Sequence, residues 1–232
     1  MMLVSLLFAP GLGQRAIVFL FVCVHANTRQ DERAARAAET RQQWWTMMSN
    51  KKQVLGAVTT MLGVAIFIIV VLTLQQIQPG YDPRYQLMSE LALGQHGWAM
   101  FFAFFGFAIA LLGVQLAIAD FIASLGYRIL LGAAALFFLV AGIFPLGETS
   151  FIHISAIAIA FVLSVLAMYL FPTAASRAAA AAPRSISWSL AAGVAVSVAL
   201  GAHVMPMGIA QRLAAACLLL WLGIVGWRLV RR

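Results

Sequence analysis

From residue 50 onward the chain alternates long apolar runs with short connections that are polar or carry glycine and proline. The runs predict helical spans at 54–74, 97–119, 129–144, 151–171, 188–205 and 209–230, with the third able to extend back over 125–128. Most reach the ~18–20 residues needed to carry an α-helix across a ~30 Å hydrocarbon core. The expected fold is therefore all-α, a polytopic membrane bundle of six transmembrane helices. Hydrocarbon offers no partner to a polar side chain or to open backbone, so the connections must sit at the surface or fold over the bundle mouth. The most polar of them is 75–96, QQIQPGYDPRYQLMSELALGQH, which holds Asp82, Arg84, Ser89, Glu90 and His96.

The first 46 residues follow a different pattern, and the chain is expected to divide into an N-terminal extension, 1–46, and a six-span membrane domain, 47–232. Residues 3–24 are apolar but contain Pro10, Gly11, Gly13 and Arg15; a central arginine costs roughly 2.5–3.5 kcal/mol on insertion scales. A signal peptide is one reading of this stretch, although its early basic region is missing. A start at Met47 or Met48 is a second, and an extra peripheral helix on a charged, Ala-rich linker is a third. Further on, 172–183 (PTAASRAAAAAP) reads as a low-complexity linker between spans four and five. No internal repeat stands out, which weakens an inverted-repeat transporter reading.

Composition agrees with the pattern: 63% of residues are hydrophobic and only 9% charged, where a soluble chain carries about a quarter charged. The net charge of +8 does not point to nucleic acid, because the basic residues flank the spans instead of lining one face. Lys51, Lys52, Arg128, Arg177, Arg184, Arg228, Arg231 and Arg232 fall on one side of the membrane, and Arg84 and Arg212 on the other. The positive-inside rule then places both ends of the bundle in the cytoplasm, and the protein in the cell inner (cytoplasmic) membrane. With Arg212 counted among the outer connections, span interiors hold no Asp, Glu, Lys, Arg or His, which disfavours a pump or small-solute permease. Cys23 and Cys217 lie far apart in apolar runs, so no disulfide or metal pair is implied.

The same orientation gathers Asp82, Arg84, Ser89, Glu90, His96, Glu148, His153 and His203 on the outer face. Each has a structural reading. Asp82-Pro83 is a turn initiator, and Ser89 and Glu90 suit the cap and first turn of a short helix. Arg84 beside Asp82 or Glu90 suits an ion pair that closes the loop, while His96 and His153 fit interfacial positions with a wet tip. The chemical reading is convergence: carboxylates and imidazoles acting as acid and base on a lipid headgroup, or around a zinc-like ion. No local pair has metal-ligand spacing, so no metal is assigned, and neither a cofactor nor a catalytic residue follows from these residues. Histidines confined to one leaflet also disfavour a transmembrane di-haem cytochrome. Small residues Gly106, Ala110 and Gly113 in span two, and Gly193, Ser197 and Gly201 in span five, mark close helix packing.

Two segments carry a family resemblance. YDPRYQLMSELALGQHGW after span one and GIFPLGETSFIHISAIAIAF across spans three and four resemble an uncharacterised prokaryotic integral-membrane family, domain of unknown function 998. The matching positions are Ser89, Glu90 and Leu91, then Gly142, Phe144, Pro145 and His153. The resemblance covers about 54–230 and implies a six-span membrane protein without implying a reaction. Many relatives carry an aspartate near Glu148. The expected function is an integral membrane protein whose outer polar cleft binds a small ligand or lipid headgroup. The alternative is a membrane-embedded hydrolase or lipid-modifying enzyme built on the acid and histidine cluster.

Overall fold

The computed structural model describes residues 39–40, 43, 50–120, 124–147, 149–174, 182–201 and 203–231. The expectations for the extension 1–46, for Cys23 and for Glu148 lie outside the described residues, apart from Glu39, Thr40 and Gln43. Asn50–Arg232 is one compact unit. It contains six helices long and apolar enough to cross a membrane: α1 (Asn50–Ile77), α2 (Met100–Ala117), α3 (Leu125–Ile143), α4 (Ser150–Ala174), α5 (Arg184–Gly201) and α6 (Met207–Val230). A 3-10 turn, Gly97–Ala99, leads into α2, and a second, Met88–Leu93, lies in the polar segment between α1 and α2. All six predicted spans are present. α3 starts at Leu125 because Ser124 caps it, the Ser124 hydroxyl accepting from the Tyr127 amide at 3.4 Å.

Successive helices from α2 to α6 pack on one another, and α6 returns to α2. α1 closes the ring between them. Its seam with α2 is made of small residues, since a Cβ on Gly63 would meet the Gly106 carbonyl at 2.4 Å and one on Gly106 would meet the Gly63 carbonyl at 2.7 Å. Without a hydrophobic force between helices in lipid, such backbone proximity is a main source of association. Thr60 adds to the seam by donating to Gly56 O and Ala110 O. The small residues of α5 serve α6 in the same way, with Gly193 against Cys217 and Gly201 against Ala210. In the core, Phe107 stacks on Phe138 at 4.6 Å between ring centroids and meets Phe67 at a tilt at 4.2 Å. The indole N–H of the large buried Trp221 is satisfied, Nε1 donating to the Ser187 hydroxyl at 3.1 Å.

Arg212 corrects the sequence reading. Counted with the outer connections although the predicted span 209–230 contains it, Arg212 lies inside α6, which begins at Met207 with Pro206 at its N-cap. The guanidinium is held there by its two Nη groups, which bond oxygen atoms of the polar segment and of Gly208, while its Nε is buried without a partner.

Candidate functional site

The 75–96 segment is held over the bundle by its own polar side chains and by α6. Gln78, buried at the end of the α1 helix, donates to Leu91 O at 2.7 Å and Gln95 O at 3.2 Å. The Asp82 carboxylate accepts from the Arg84 amide at 2.9 Å, and Gln86 Oε1 accepts from the Asp82 amide at 2.7 Å, which closes the turn expected at Asp82-Pro83. The first turn of α6 approaches so closely that a Cβ on Gly208 would lie 2.6 Å from Gln86 O. There the Ile209 amide donates to Arg84 O at 3.1 Å, satisfying one of the orphan donors of a helix start. Arg212 donates to Gln86 O at 3.0 Å, to Gly208 O at 2.9 Å and to the Tyr81 hydroxyl, which in turn donates to Leu87 O at 2.9 Å. Burial pushes the Tyr81 hydroxyl pKa up, and the Arg212 guanidinium offsets part of that rise.

Several expected roles change hands. Glu90, not Ser89, caps the turn Met88–Leu93: its Oε1 accepts from the Leu87 amide at 3.0 Å. Ser89 is released for another role and is 2% exposed. Arg84 makes no ion pair with Asp82 or Glu90; its carbonyl, not its guanidinium, is the group that α6 uses. The pair present among the described residues is Lys52–Asp120, at 3.8 Å, between the start of α1 and the turn after α2. Asp82, Arg84, His96 and His203 are exposed. His96 turns the chain into α2 with φ 58°, a left-handed conformation uncommon outside glycine. Among the described residues no three His, Cys, Asp or Glu gather closely enough to hold a metal ion.

The buried histidine is His153, 1% exposed, in the first turns of α4. Its position follows from the end of α3. Pro145 has no amide, so the carbonyl of Ala141, four residues earlier, has no donor within the helix. His153 Nδ1 lies 2.8 Å from Ala141 O and 2.9 Å from Phe144 O. Two carbonyls at one ring nitrogen make it the N–H donor, so the neutral imidazole carries its lone pair on Nε2. Nε2 is buried and has no hydrogen-bond partner. Gly142 lets α3 approach Phe104, where a Cβ would lie 3.0 Å from the Phe104 Cβ, and the Phe104 ring meets His153 edge-on at 5.4 Å.

His153 borders a cavity of about 630 Å³ formed by α4, α5, α6 and the polar segment. Ser89 and Gln211 join it there, and the remaining lining is apolar or alanine, including Ile157, Phe161, Val194 and Ala214. Gln211 Oε1 is occupied by the Met88 amide at 2.6 Å, which leaves its Nε2 donors for the cavity. Ile154, Val162 and Val198, also at the lining, are exposed, so the cavity is a groove open sideways between α4 and α5. From His153 to Val165 the α4 wall runs twelve residues, about 18 Å at ~1.5 Å per residue. Of the candidates read from sequence, the groove gathers Ser89 and His153. Gln211 was missed because an uncharged amide amid apolar residues gives little signal until its neighbours are known.

The family model described as "Protein of unknown function (DUF998)" matches residues 61–228. The chain belongs to this family. The DUF998 match spans α2 to α5 in full and most of α1 and α6, so it includes the polar segment, the Pro145–His153 junction and every residue bordering the groove. No curated protein and no solved structure matches the chain. The chain is a multi-pass membrane protein of the DUF998 family, with six candidate transmembrane helices.

Proposed function

We propose that this DUF998 protein binds an amphiphile in the groove between α4, α5 and α6. The polar end of the ligand meets Ser89, His153 and Gln211, and its apolar part runs along Ile157, Phe161 and Val194 toward Val165. The observation that carries this reading is His153, which borders an otherwise apolar groove and whose buried Nε2 has no hydrogen-bond partner. Leaving such an acceptor unmade costs ~1–3 kcal/mol, which a ligand donor would recover. A lateral opening also suits a ligand delivered from the bilayer.

The charge bias supports an inner-membrane protein with both ends of the bundle cytoplasmic and the polar segment outside. On that orientation the polar end of the groove lies near the outer membrane surface. A C-terminal green fluorescent protein fusion should fluoresce and a C-terminal alkaline phosphatase fusion should be inactive; the opposite pair of results reverses the orientation.

A photoactivatable long-chain amphiphile incorporated into vesicles tests the groove. Cross-links should map to α4, α5 and α6, and Ala195→Trp on the exposed groove wall should abolish them. Unchanged labelling in Ala195→Trp would count against the groove.

A hydrolase reading is favoured by one observation, that Ser89 and His153 border the same groove and the His153 Nε2 has no partner. It would need Oγ to pass its proton to Nε2, and no hydrogen bond joins the two residues. Covalent labelling of Ser89 by a fluorophosphonate, lost in Ser89→Ala, would establish it.

A further inference from the structure

We propose that the polar end of the groove selects an uncharged, hydroxyl-bearing amphiphile over one bearing a phosphate or other anionic group. This inference rests on the groove being the ligand site. It follows from the hydrogen-bonding character of the lining groups, taken one at a time.

His153 cannot easily change roles. Its Nδ1 proton is committed to Ala141 O and Phe144 O, so in the neutral ring Nε2 can only accept. A ligand must therefore bring a donor. A phosphodiester or an ionised carboxylate brings acceptors alone and would set lone pair against lone pair. A hydroxyl brings a donor for Nε2 and keeps lone pairs for the Gln211 amide, whose Nε2 donors remain after Oε1 is taken by the Met88 amide. The Ser89 hydroxyl can serve on either side of such an exchange.

Charge points the same way. Among the described residues, neither lysine nor arginine borders the groove. The cation next in sequence to Gln211 is Arg212, which is not among the residues bordering the groove and whose Nη groups are engaged by Gln86 O, Gly208 O and the Tyr81 hydroxyl. An anionic headgroup among Ser89, His153 and Gln211 would thus be desolvated without a counter-ion, which is costly in an apolar setting. A cationic headgroup would supply a donor to Nε2, but no Asp or Glu among the described residues borders the groove to balance it. The ligand class that satisfies each group is a long-chain alcohol or an acylglycerol with a free hydroxyl.

The test uses the full chain in vesicles of phosphatidylethanolamine and phosphatidylglycerol. Three diazirine probes share one acyl-length chain: a fatty alcohol, a monoacylglycerol and a lysophosphatidate made without its glycerol 2-hydroxyl. At equal mole fraction the two neutral probes should label α4–α6 peptides about tenfold more than the lysophosphatidate, the effect of one unmatched buried polar group. Labelling by only one neutral probe identifies the source of the hydroxyl and supports the inference. Leu146→Arg adds a cation at the polar end of the groove on a connection, outside the helix packing, and should raise lysophosphatidate labelling about tenfold. If all three probes label equally and Ala195→Trp abolishes all of it, the groove binds amphiphiles but the headgroup inference is overturned. Stronger labelling by lysophosphatidate overturns it too. If Ala195→Trp changes no labelling, the groove itself is not the ligand site.

Discussion

The His153 imidazole donates from Nδ1 to the carbonyl of Ala141 across 2.8 Å, supplying the donor that Pro145 withholds from the end of α3. The same ring nitrogen reaches Phe144 O at 2.9 Å. One side chain of α4 thus completes α3, and because it does so with Nδ1, its Nε2 lone pair is left without a partner. The spacing of Gly142, Phe144, Pro145 and His153 acquires a physical meaning: glycine for approach to Phe104, proline to free a carbonyl, histidine to satisfy it.

Replacing His153 with alanine should lower stability by ~1–3 kcal/mol, since two carbonyls at the end of α3 lose their donor. Pro145→Ala restores an amide within reach of Ala141 O. In that background His153→Ala should cost less, by about 1 kcal/mol, a coupling expected of groups sharing one partner. Unfolding in mixed detergent micelles with increasing dodecyl sulfate measures all four corners of the cycle. Additive costs would show that His153 acts through packing against Phe104 instead.

Arg212 and Tyr81 are 131 positions apart and tie the polar segment to α6. Arg212→Leu removes charged donors from Gln86 O, Gly208 O and Tyr81, and should cost ~1.5–3 kcal/mol. Tyr81→Phe should cost ~0.5–1.5 kcal/mol alone and much less after Arg212→Leu, because part of the contact is then already gone. Protease accessibility of the 81–87 stretch in proteoliposomes should rise in Arg212→Leu; unchanged cleavage would show that Gln78 and the first turn of α6 suffice to hold it.

The seam between α1 and α2 makes a sharper prediction. In Gly63→Ala the new Cβ would meet the Gly106 carbonyl at 2.4 Å and the Ala110 amide at 2.8 Å. Backbone cannot yield there without separating the helices, so a loss of ~1–3 kcal/mol is expected. Gly223→Ala, where a Cβ meets nothing within 4 Å, should be neutral or stabilising by up to ~1 kcal/mol. Thermal unfolding of the two variants in one detergent separates close packing from a general intolerance of added methyl groups.

Lys52 and Asp120 should matter little. Their side chains are 45% and 38% exposed at a separation of 3.8 Å, and exposed pairs of this kind contribute ~0–1 kcal/mol. Asp120→Asn should leave the unfolding midpoint within the scatter of replicate measurements. A clear drop would mean that this pair holds the start of α1 against α2.

Much of the architecture can be read directly from the chain. Apolar runs of spanning length allow few alternatives to membrane helices, and the small residues of α2 and α5 mark where helices meet closely. The Asp82-Pro83 turn was legible too, because its hydrogen bonds are local. The cap of the 3-10 turn was not: Ser89 and Glu90 are neighbours, either can cap, and the choice of Glu90 leaves Ser89 to turn into the bundle. Arg212 misled for a related reason. A charge near the end of an apolar run looks like a boundary, yet α6 begins at Met207 and carries the guanidinium inward to the carbonyl oxygens of a distant loop.

The sequence by itself determined that this protein is a six-helix membrane bundle of the DUF998 family, since hydrophobic length and short-range motifs are properties of consecutive residues. Only the tertiary structure decided which polar residues share a space. It joined Ser89, His153 and Gln211, three residues from separate elements, and dispersed Asp82, His96 and His203 to the exposed surface. The reason is physical: each buried polar group must find its donor or acceptor, and where that partner lies depends on how the helices pack.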